Sequence, residues 1–282
     1  MIDKDKLANP RRRWLRFNLR TFLIVLTILC VWLSWYSIRA KQQREAVIWV
    51  LKNGGTVEYD YEYEGQKFIH DSQPSAPKLL LDLLGVDYFS AVTRVEFNNS
   101  QKQVSDVTPL ASLTKLEDLE LSDTQVSDLA PLADLTNLKK LRLSITQVSD
   151  VRPLAGLANL ETLMLLQTQV SDLTPLAGLT SLETLVLTDT QVSDVRPLAG
   201  LANLETLMLS DTQVIDVTPL AGLANLGTLW LSGTQVSDVT PLSGLANLKD
   251  LDLSNTQVSE EDLEKLKQAL PNCFIGSISD FP

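Results

Sequence analysis

Leucine recurs along most of the chain at a spacing that predicts one short strand in every 22 residues. From Gln103 to Thr256 the sequence divides into seven rows of 22 residues, each with Gln-Val first, Asp fourth, Pro-Leu seventh and eighth, and Thr last. Leucine occupies positions 11, 14, 17 and 19 of every row. The leucines at positions 17 and 19 alternate with other residues, and this period of two indicates a β-strand.

A strand of this length cannot bury its apolar face alone, so the rows must stack and pair their strands in parallel. In the row that begins at Gln147, Leu163 and Leu165 belong to the strand, and Asp150 and Pro153 suit the start of a short 3₁₀ or helical turn behind it. A period of this length with Leu-x-x-Leu-x-Leu is the signature of a leucine-rich repeat solenoid. The predicted fold class is therefore α/β: a solenoid with a parallel concave sheet and short turns on the convex side.

Two polar residues recur in every row, and each has a structural interpretation. The threonines at position 22 are expected to bond the backbone of adjacent coils; they are Thr124, Thr146, Thr168, Thr190, Thr212, Thr234 and Thr256. The aspartates at position 4 are expected to cap the turns; they are Asp106, Asp128, Asp150, Asp172, Asp194, Asp216 and Asp238. Stacked carboxylates also suit cation binding, so this alternative stays open, although the glycine-rich nonapeptide of calcium-binding solenoids is absent.

The N-terminal segment predicts one transmembrane helix. Residues 21–38 contain no charge and would span about 27 Å as a helix, close to the thickness of a bilayer core. The aromatic residues Trp32, Trp35 and Tyr36 lie near its far end, as an interfacial belt would. A cleaved signal and a twin-arginine export signal are alternatives, but Ser37 to Ala40 is a poor cleavage site. An uncleaved signal anchor fits best.

The charge distribution predicts which side of the membrane holds the repeats. Residues 1–45 contain ten Lys and Arg and three Asp and Glu, a net charge of +7, so the whole-chain charge of −11 leaves −18 for residues 46–282. Because the heavier basic flank precedes the span, the N-terminus is expected in the cytoplasm and the repeats outside it, in the periplasm or at the cell surface. A strongly acidic solenoid is a poor nucleic-acid binder, and a partner attracted by charge would be basic.

These features divide the chain into five predicted segments. They are a basic cytoplasmic tail (1–20), the transmembrane helix (21–38), a juxtamembrane helix and N-terminal cap (39–102), the seven repeats (103–256) and a C-terminal cap (257–282).

Both caps have predicted elements of their own. Alternating residues from Val57 to Tyr63 predict a half-exposed strand, and 77–84 a short amphipathic helix stopped by Gly85. Val95 and Phe97 supply the first strand of the stack. At the other end, residues 259–262 begin a helix that covers the last coil, as the atypical terminal units of solenoids do.

The residue types that carry catalysis or hold metals are sparse and badly spaced. His70 is the single histidine, in a polar stretch. Cys30 lies inside the apolar span, and Cys273 follows the repeats in an apolar setting that suggests a buried thiol. The sequence contains no GxSxG, HExxH, CxxC or phosphate-binding glycine loop. We therefore predict no enzymatic activity, no cofactor and no metal site.

The repeats resemble those of a known family. Rows such as QVSDVTPLSGLANLKDLDLSNT are similar to the 22-residue repeats of internalin-like bacterial leucine-rich repeat proteins, over about residues 92–276. The resemblance implies a curved right-handed solenoid whose concave sheet binds other proteins. Two departures are an N-terminal span and a final stretch, 277–282, without a wall-sorting signal. Binding to a host receptor is therefore not implied.

A candidate binding surface follows from the positions at which the rows differ. The residue between the two strand leucines faces the concave side in each row; reading along the stack gives Glu120, Arg142, Met164, Val186, Met208, Trp230 and Asp252. The four consecutive apolar members form a stripe, with Trp230 as its expected hot spot. Flanking positions hold mostly small hydroxyl residues, namely Thr162, Thr184, Thr206 and Thr228 on one side and Leu166, Thr188, Ser210 and Ser232 on the other.

Two functions remain open at the level of sequence. The first is a membrane-anchored module that binds a protein or peptide through Arg142, the stripe and the flanking residues Leu166, Thr206 and Thr228. The second is a passive structural or spacer solenoid of the cell envelope, which has no specific ligand. An apolar centre with a polar rim favours the first, whereas isolated apolar surface residues are common and favour neither.

Overall fold

One long helix, α1 (Leu19–Lys52), begins the part of the chain that the structure describes. The structure is a computed structural model and describes residues 19–64, 67–68, 73–97 and 103–276. His70 and most of the predicted cytoplasmic tail therefore lie outside the described residues. Within α1, the most apolar 18-residue window has the length and composition of a membrane span, and none of its residues is buried against the rest of the protein.

Short strands and short turns make up the remainder of the chain. The strands are β1 (Gly55–Tyr59), β2 (Tyr63–Glu64), β3 (Lys67–Phe68), β4 (Val92–Phe97), β5 (Asp118–Glu120), β6 (Lys140–Arg142), β7 (Thr162–Met164), β8 (Thr184–Val186), β9 (Thr206–Met208), β10 (Thr228–Trp230), β11 (Asp250–Asp252) and β12 (Phe274–Gly276). Two further helices are α2 (Lys78–Leu84) and α3 (Glu260–Ala269). Each of the seven rows also contains one 3₁₀ turn that starts just before its Pro-Leu, such as Arg152–Gly156.

Ten of the strands form one sheet in the order β1-β4-β5-β6-β7-β8-β9-β10-β11-β12. Every neighbouring pair from β4 to β12 is parallel and in register, so that Leu141 faces Leu163 and Leu163 faces Leu185. The predicted leucine-rich repeat solenoid with 3₁₀ turns is confirmed. The first strand differs from the rest, because β1 runs antiparallel to β4.

The core is continuous from the N-terminal cap to the C-terminal cap. Every row leucine at positions 11, 14, 17 and 19 is buried, and Leu163 and Leu165 have no exposed surface. Val50 of α1 belongs to this same cluster of buried residues, as does Ile275 of β12. The long helix and the last strand therefore close the two ends of one apolar interior.

The aspartate at position 4 caps the turn in all seven rows. In each, Oδ1 accepts a hydrogen bond from the backbone N–H two residues later, as from Arg152 to Asp150 at 2.9 Å. The capping interpretation is confirmed. Hydrogen bonds from Arg152 and Arg196 also lower the pKa values of Asp150 and Asp194 to about 2. No group of three or more potential metal ligands occurs among the residues that the structure describes.

The threonine ladder bonds within its own coil, so the prediction of bonds to adjacent coils is wrong. Each hydroxyl donates to the carbonyl three residues earlier, as Thr146 does to Leu143 at 2.6 Å. In the five rows that have asparagine at position 13, this side chain instead bonds the backbone of the preceding coil. Asn159 Nδ2, for example, donates to the carbonyl of Thr136 in the preceding row at 2.8 Å. The threonine side chain is short, and the nearest carbonyl belongs to its own coil. The hydroxyl therefore bonds within that coil and does not reach the next one.

A left-handed residue ends the strand region of every row. Position 21 has a φ between 55° and 70° in all seven rows, at Asp123, Ile145, Gln167, Asp189, Asp211, Gly233 and Asn255. Glycine and asparagine tolerate this conformation, whereas a β-branched side chain there is strained. Ile145 is the one β-branched member, and 47% of its surface is exposed. About half of the side chain is therefore in solvent, which limits the packing that could offset the strain.

Replacing Ile145 by asparagine is expected to raise the free energy of unfolding by about 1 kcal/mol, because asparagine enters the left-handed region at lower cost. Thermal unfolding of purified protein measures the effect. The matched control is Gln167→Ile, one row later and at the same φ, which should lower stability by a similar amount. A fall in stability for Ile145→Asn would show that the isoleucine side chain makes a contact that outweighs its strain.

The second half of α1 is joined to the N-terminal cap through a buried carboxylate. Asp87 accepts hydrogen bonds from Tyr59 at 3.0 Å, Gln43 at 3.2 Å and Arg44 at 3.3 Å. Burial, followed by the charge of Asp87 and this hydrogen bond, raises the pKa of Tyr59 far above its usual value. The hydroxyl therefore stays protonated and remains a donor to Asp87 at neutral pH.

Two predicted elements of the N-terminal cap differ from the structure. The alternating pattern predicts a strand as far as Tyr63, but β1 ends at Tyr59 and a 3₁₀ turn over Asp60–Glu62 follows. The short helix α2 forms as predicted between Pro77 and Gly85, but none of its residues is buried. At the other end of the protein, α3 begins as expected, with Ser259 Oγ accepting a hydrogen bond from the Asp262 N–H at 3.1 Å.

Candidate protein-binding face

The middle residues of the repeat strands form a continuous column across the sheet. Direct cross-strand pairing connects the members in the order Glu120, Arg142, Met164, Val186, Met208, Trp230 and Asp252. Because neighbouring strands lie about 4.8 Å apart, the four apolar members extend over roughly 15 to 20 Å. The sequence-predicted stripe residues are therefore adjacent in space, on the face of the sheet opposite the buried leucines.

Exposure along this stripe is uneven. Trp230 is the most exposed member, at 37%, and Met164 and Met208 are half-buried. Val186, expected to be accessible, is only 8% exposed, because it is shorter than the methionines paired on either side of it. The expectation of four accessible side chains is therefore wrong for this one. The Val186 side chain lies closer to the sheet than the methionine side chains on either side of it.

The indole of Trp230 is held by a neighbouring carboxylate. Its Nε1–H donates to Asp250 Oδ2 at 3.1 Å, and Asp250 is the cross-strand partner of Thr228. The hydrogen bond satisfies the polar end of the ring and leaves part of its apolar surface facing solvent. An aromatic ring that is already oriented loses little conformational entropy when a partner covers it.

The same carboxylate influences Cys273 in the C-terminal cap. Partial burial, and then the negative charge of Asp250, raise the pKa of the Cys273 thiol to about 11. The thiol is therefore neutral at physiological pH and a poor nucleophile. The side chain is only partly buried, so the prediction of a buried thiol is wrong.

The two flanks of the stripe have small polar residues beside the methionines. Thr162, Thr184, Thr206 and Thr228 form a second paired column, each partly exposed. On the other flank, Leu166 is half-buried, whereas Ser210 is buried and accepts a hydrogen bond from Ser232 Oγ at 2.8 Å. Except for Leu166, the flanking side chains are short and polar, and they leave Met164, Met208 and Trp230 partly exposed.

The N-terminal end of the column is a network of charged side chains. Arg142 Nη1 donates to Asp118 Oδ1 at 2.8 Å, and its Nε lies 3.7 Å from Glu120 Oε2. Arg94 lies 3.8 Å from the same Asp118. Arg142 is thus already neutralised within the chain. It borders the apolar stripe and adds no free positive charge to it.

Acidic residues line both long edges of the apolar stripe, a feature that the sequence reasoning missed. Glu161, Glu183 and Glu205 immediately precede β7, β8 and β9 on one edge, and Asp189 and Asp211 occupy the turns on the other edge. Among the described residues, Glu183 and Glu205 are exposed and form no ion pair with Lys or Arg. Their recurrence at positions 15 and 21 of the middle rows was the available signal.

Comparison with known proteins identifies the class. A family model described as Leucine Rich repeats (2 copies) matches residues 136–178, 180–225 and 224–268. Together with the ten-stranded sheet and its 3₁₀ turns, this match shows that the chain belongs to the leucine-rich repeat proteins. Such proteins generally mediate protein–protein interactions, and homologues of this fold are typically non-enzymatic binding modules. No curated protein sequence matches the chain.

Among solved structures, the chain is similar to internalins. Internalin C2 of Listeria monocytogenes is 36% identical with a TM-score of 0.63, and the match covers 68% of this chain and 82% of that one. A second internalin of the same organism, inlF, is 33% identical with a TM-score of 0.54, covering 61% of this chain and 57% of that one. The predicted resemblance of the repeats to internalins is confirmed.

Two more distant structures have the same fold. A leucine-rich repeat protein of Leptospira interrogans is 25% identical, with a TM-score of 0.57 and coverage of 60% of this chain and 44% of that one. A plant peptide hormone receptor in complex with a peptide is 18% identical, with a TM-score of 0.53 and coverage of 61% of this chain and 29% of that one. The second comparison concerns the fold alone.

Proposed function

We propose that this protein is a membrane-anchored binding module that displays its solenoid outside the cytoplasm. The concave stripe of Met164, Val186, Met208 and Trp230 would bind an extended protein segment that carries apolar and basic side chains. The observation that carries the proposal is the partly exposed Trp230 ring, fixed by Asp250 at one end of a continuous apolar column.

The chemistry of the partner is inferred from the surroundings of the stripe. Apolar side chains of a ligand would cover the methionines and the indole, where removal of apolar surface from water is the main favourable contribution. Glu183 and Glu205 on one edge, with Asp189 and Asp211 on the other, would attract Lys and Arg that flank those apolar residues. The net charge of −18 over residues 46–282 acts in the same direction during encounter.

Membrane anchoring is supported by how α1 joins the rest of the molecule. Phe22, Ile28 and Trp35 are exposed although apolar, which suits lipid contact, while Ala46, Val47 and Val50 of the same helix are buried in the core. An apolar N-terminal helix is compatible with both a signal anchor and a cleaved signal peptide.

Contacts near the end of the apolar stretch favour the anchor over the cleaved signal. Cleavage near Ala40 would remove the hydrogen bond between Ser37 and Tyr88, at 2.7 Å, and that from Arg39 to Thr114, also 2.7 Å. Retaining the segment keeps both bonds, which join the helix to the N-terminal cap and to the first repeat. The proposal is therefore an uncleaved span that continues without a linker into the solenoid.

A passive spacer of the cell envelope is the competing function. Met164 and Met208 lie in identical stretches, 44 residues apart, so duplication alone would place both of them on the concave face. Trp230 has no such counterpart, because Trp occurs in no other row at that position. Duplication therefore does not explain an exposed tryptophan beside Met208, whereas binding does.

The test is in-cell photo-crosslinking from the concave face of the full chain. A photoreactive amino acid at Thr206, beside Met208 and partly exposed, should capture a discrete partner. We expect Trp230→Ala to weaken that association by about 2 kcal/mol, roughly a 30-fold increase in Kd, with the thermal unfolding midpoint nearly unchanged. Higher salt should also reduce capture if the acidic edges contribute.

The matched control is Arg196→Ala on the convex side, where the arginine is exposed and pairs with Asp194. It should leave capture intact. If the double variant Met208→Ala with Trp230→Ala captures the same protein with equal yield, the concave stripe is not the binding site. The spacer function would then be the better conclusion.

A further inference from the structure

The helix α2 presents leucines to solvent on a segment too short to be stable alone. Leu79 is 77% exposed and Leu83 76% exposed, and no residue of the helix is buried. Isolated helices of this length are marginal in water, and their stability normally comes from packing of an apolar face. The described residues supply no such packing for these leucines. An apolar partner for them would therefore come from outside the described part of the chain.

Contacts with α1 place α2 next to the end of the apolar span. The carbonyl of Leu84, the last residue of α2, accepts a hydrogen bond from Arg44 Nη2 at 2.6 Å. The following turn brings Tyr88 to Tyr36 and Ser37, with a ring-centroid distance of 5.0 Å to Tyr36. The C-terminal end of α2 is thus fixed beside residues 36–44 of α1.

This location corresponds to the surface of a bilayer. Ile38 is the last residue of the uncharged stretch, and Arg44 lies six residues beyond it, about 9 Å along a helix axis. The polar layer on each side of the hydrocarbon core is about 5 to 7.5 Å thick, so a tilt of α1 near the upper end of the usual range, about 40°, would lower Arg44 to about 7 Å and bring the end of α2 into the layer.

The surrounding side chains have the character of an interface. Arg39, Lys41 and Arg44 follow the apolar span on α1, and Lys78 begins α2. The guanidinium of Arg39 also lies 5.7 Å from the ring of Trp35. Lys41 lies 3.8 Å from Glu45 and Arg44 lies 3.3 Å from Asp87, so Arg39 and Lys78 are the basic residues that suit anionic headgroups best.

We propose that α2 is a second membrane contact, with Leu79, Leu80 and Leu83 inserted into the interface of the bilayer that α1 spans. The inference rests on the proposed membrane anchoring and adds a surface to it. A lipid surface is the occupant because the leucines continue the apolar region that the span already offers. Two contacts, one spanning and one interfacial, would hold the solenoid at a fixed tilt and control where the concave face points.

The test uses the full-length chain reconstituted in vesicles of phosphatidylcholine with phosphatidylglycerol. In a background of Cys30→Ala and Cys273→Ser, single cysteines are introduced as Leu79→Cys or Leu83→Cys and labelled with a polarity-sensitive fluorophore. Lipids with a nitroxide near the headgroup act as quenchers. Leu29→Cys in the span, with nitroxides placed deeper, reports anchoring. Ile215 is 56% exposed on a distant repeat. A probe on Ile215→Cys therefore measures quenching that does not depend on contact with the membrane.

We expect the probes at Leu79 and Leu83 to lose about half of their emission on the nitroxide lipids, while the probe at Ile215 remains nearly unquenched. If the probe at position 29 is quenched and the probe at position 83 is not, the proposed interfacial contact of α2 is wrong, whereas the membrane anchor is supported. If Leu29 is not quenched, the anchor itself fails. A blue-shifted Leu83 probe that lipid nitroxides do not quench would overturn the proposal in favour of a protein partner or a second copy of this chain.

Discussion

Leu163→Ala is expected to lower the free energy of unfolding by about 2 to 5 kcal/mol, the range for a leucine whose removal leaves a cavity in a packed core. Leu163 has no exposed surface, and it is paired on both sides with buried leucines, Leu141 and Leu185. Neighbouring coils fix the backbone on either side, so the core has little freedom to collapse into the space. Denaturant unfolding of the purified protein measures the loss.

The matched control is the adjacent residue. Met164→Ala should cost less than about 1 kcal/mol, because the methionine lies on the opposite face of the same strand and is half-buried at most. Equal losses from the two substitutions would mean that the alternation of faces along the strand is wrong, and the concave stripe with it.

This alternation is also the reason that the repeats could be predicted in detail. Seven rows agree at the positions that fill the core, so each row checks the register of the others. Leu163 and Leu165 point to the core, and Met164 points away, because side chains of a strand alternate between its faces. Strands at the same position in successive rows run in the same direction, so neighbouring strands pair in parallel.

The repeat pattern in the sequence could not predict details that depend on how far particular side chains extend. Val186 occupies the same column as Met164, but it is buried between longer neighbours, and this burial depends on side-chain length and not on register. The threonine at position 22 has a hydroxyl that suits either coil, and the nearer carbonyl is its own. The strained turn at Ile145 was hidden for another reason: isoleucine is an unfavourable residue for a left-handed position, so its presence gives no signal of one.

The N-terminal cap was predicted less well because it occurs once. Without repetition, an alternating pattern such as Val57 to Tyr63 fixes neither the end of a strand nor its partner, and β1 ends four residues early. For α2, an apolar helix predicts a buried face, but sequence contains no information on which element would cover it. The exposure of Leu79 and Leu83 is a property of the fold and became visible only there.

Some features of the candidate site could be predicted from the sequence and others could not. Reading the middle residue of each row identified the column from Arg142 to Trp230, because register alone places those residues together. The hydrogen bond between Trp230 and Asp250 joins different columns and could not be inferred from spacing. Neither could the neutralisation of Arg142 by Asp118, since both residues also have other charged neighbours in the stack.

A reporter enzyme that is active only outside the cytoplasm is expected to be active when fused after Pro282 of the full chain. The basic residues before the span outnumber those just after it: Lys4, Lys6, Arg11, Arg12, Arg13, Arg16 and Arg20 precede it, whereas Arg39, Lys41 and Arg44 follow. Positively charged flanks are retained in the cytoplasm, so the solenoid should be translocated. The measurement compares this fusion with one to a reporter that is active only in the cytoplasm.

The control for this orientation changes charge without changing the span. Substituting Arg11, Arg12, Arg13 and Arg16 by serine leaves a net charge of +3 rather than +7 in residues 1–45, so the two flanks become nearly balanced. Activity of the external reporter should fall and that of the cytoplasmic reporter should rise, because the bias that orients the helix is removed. A cytoplasmic reporter that is active in the parent would reverse the proposed display. Repeats found free of the membrane after cleavage near Ala40 would remove the anchor, and with it the fixed connection between α1 and the solenoid on which the tilt depends.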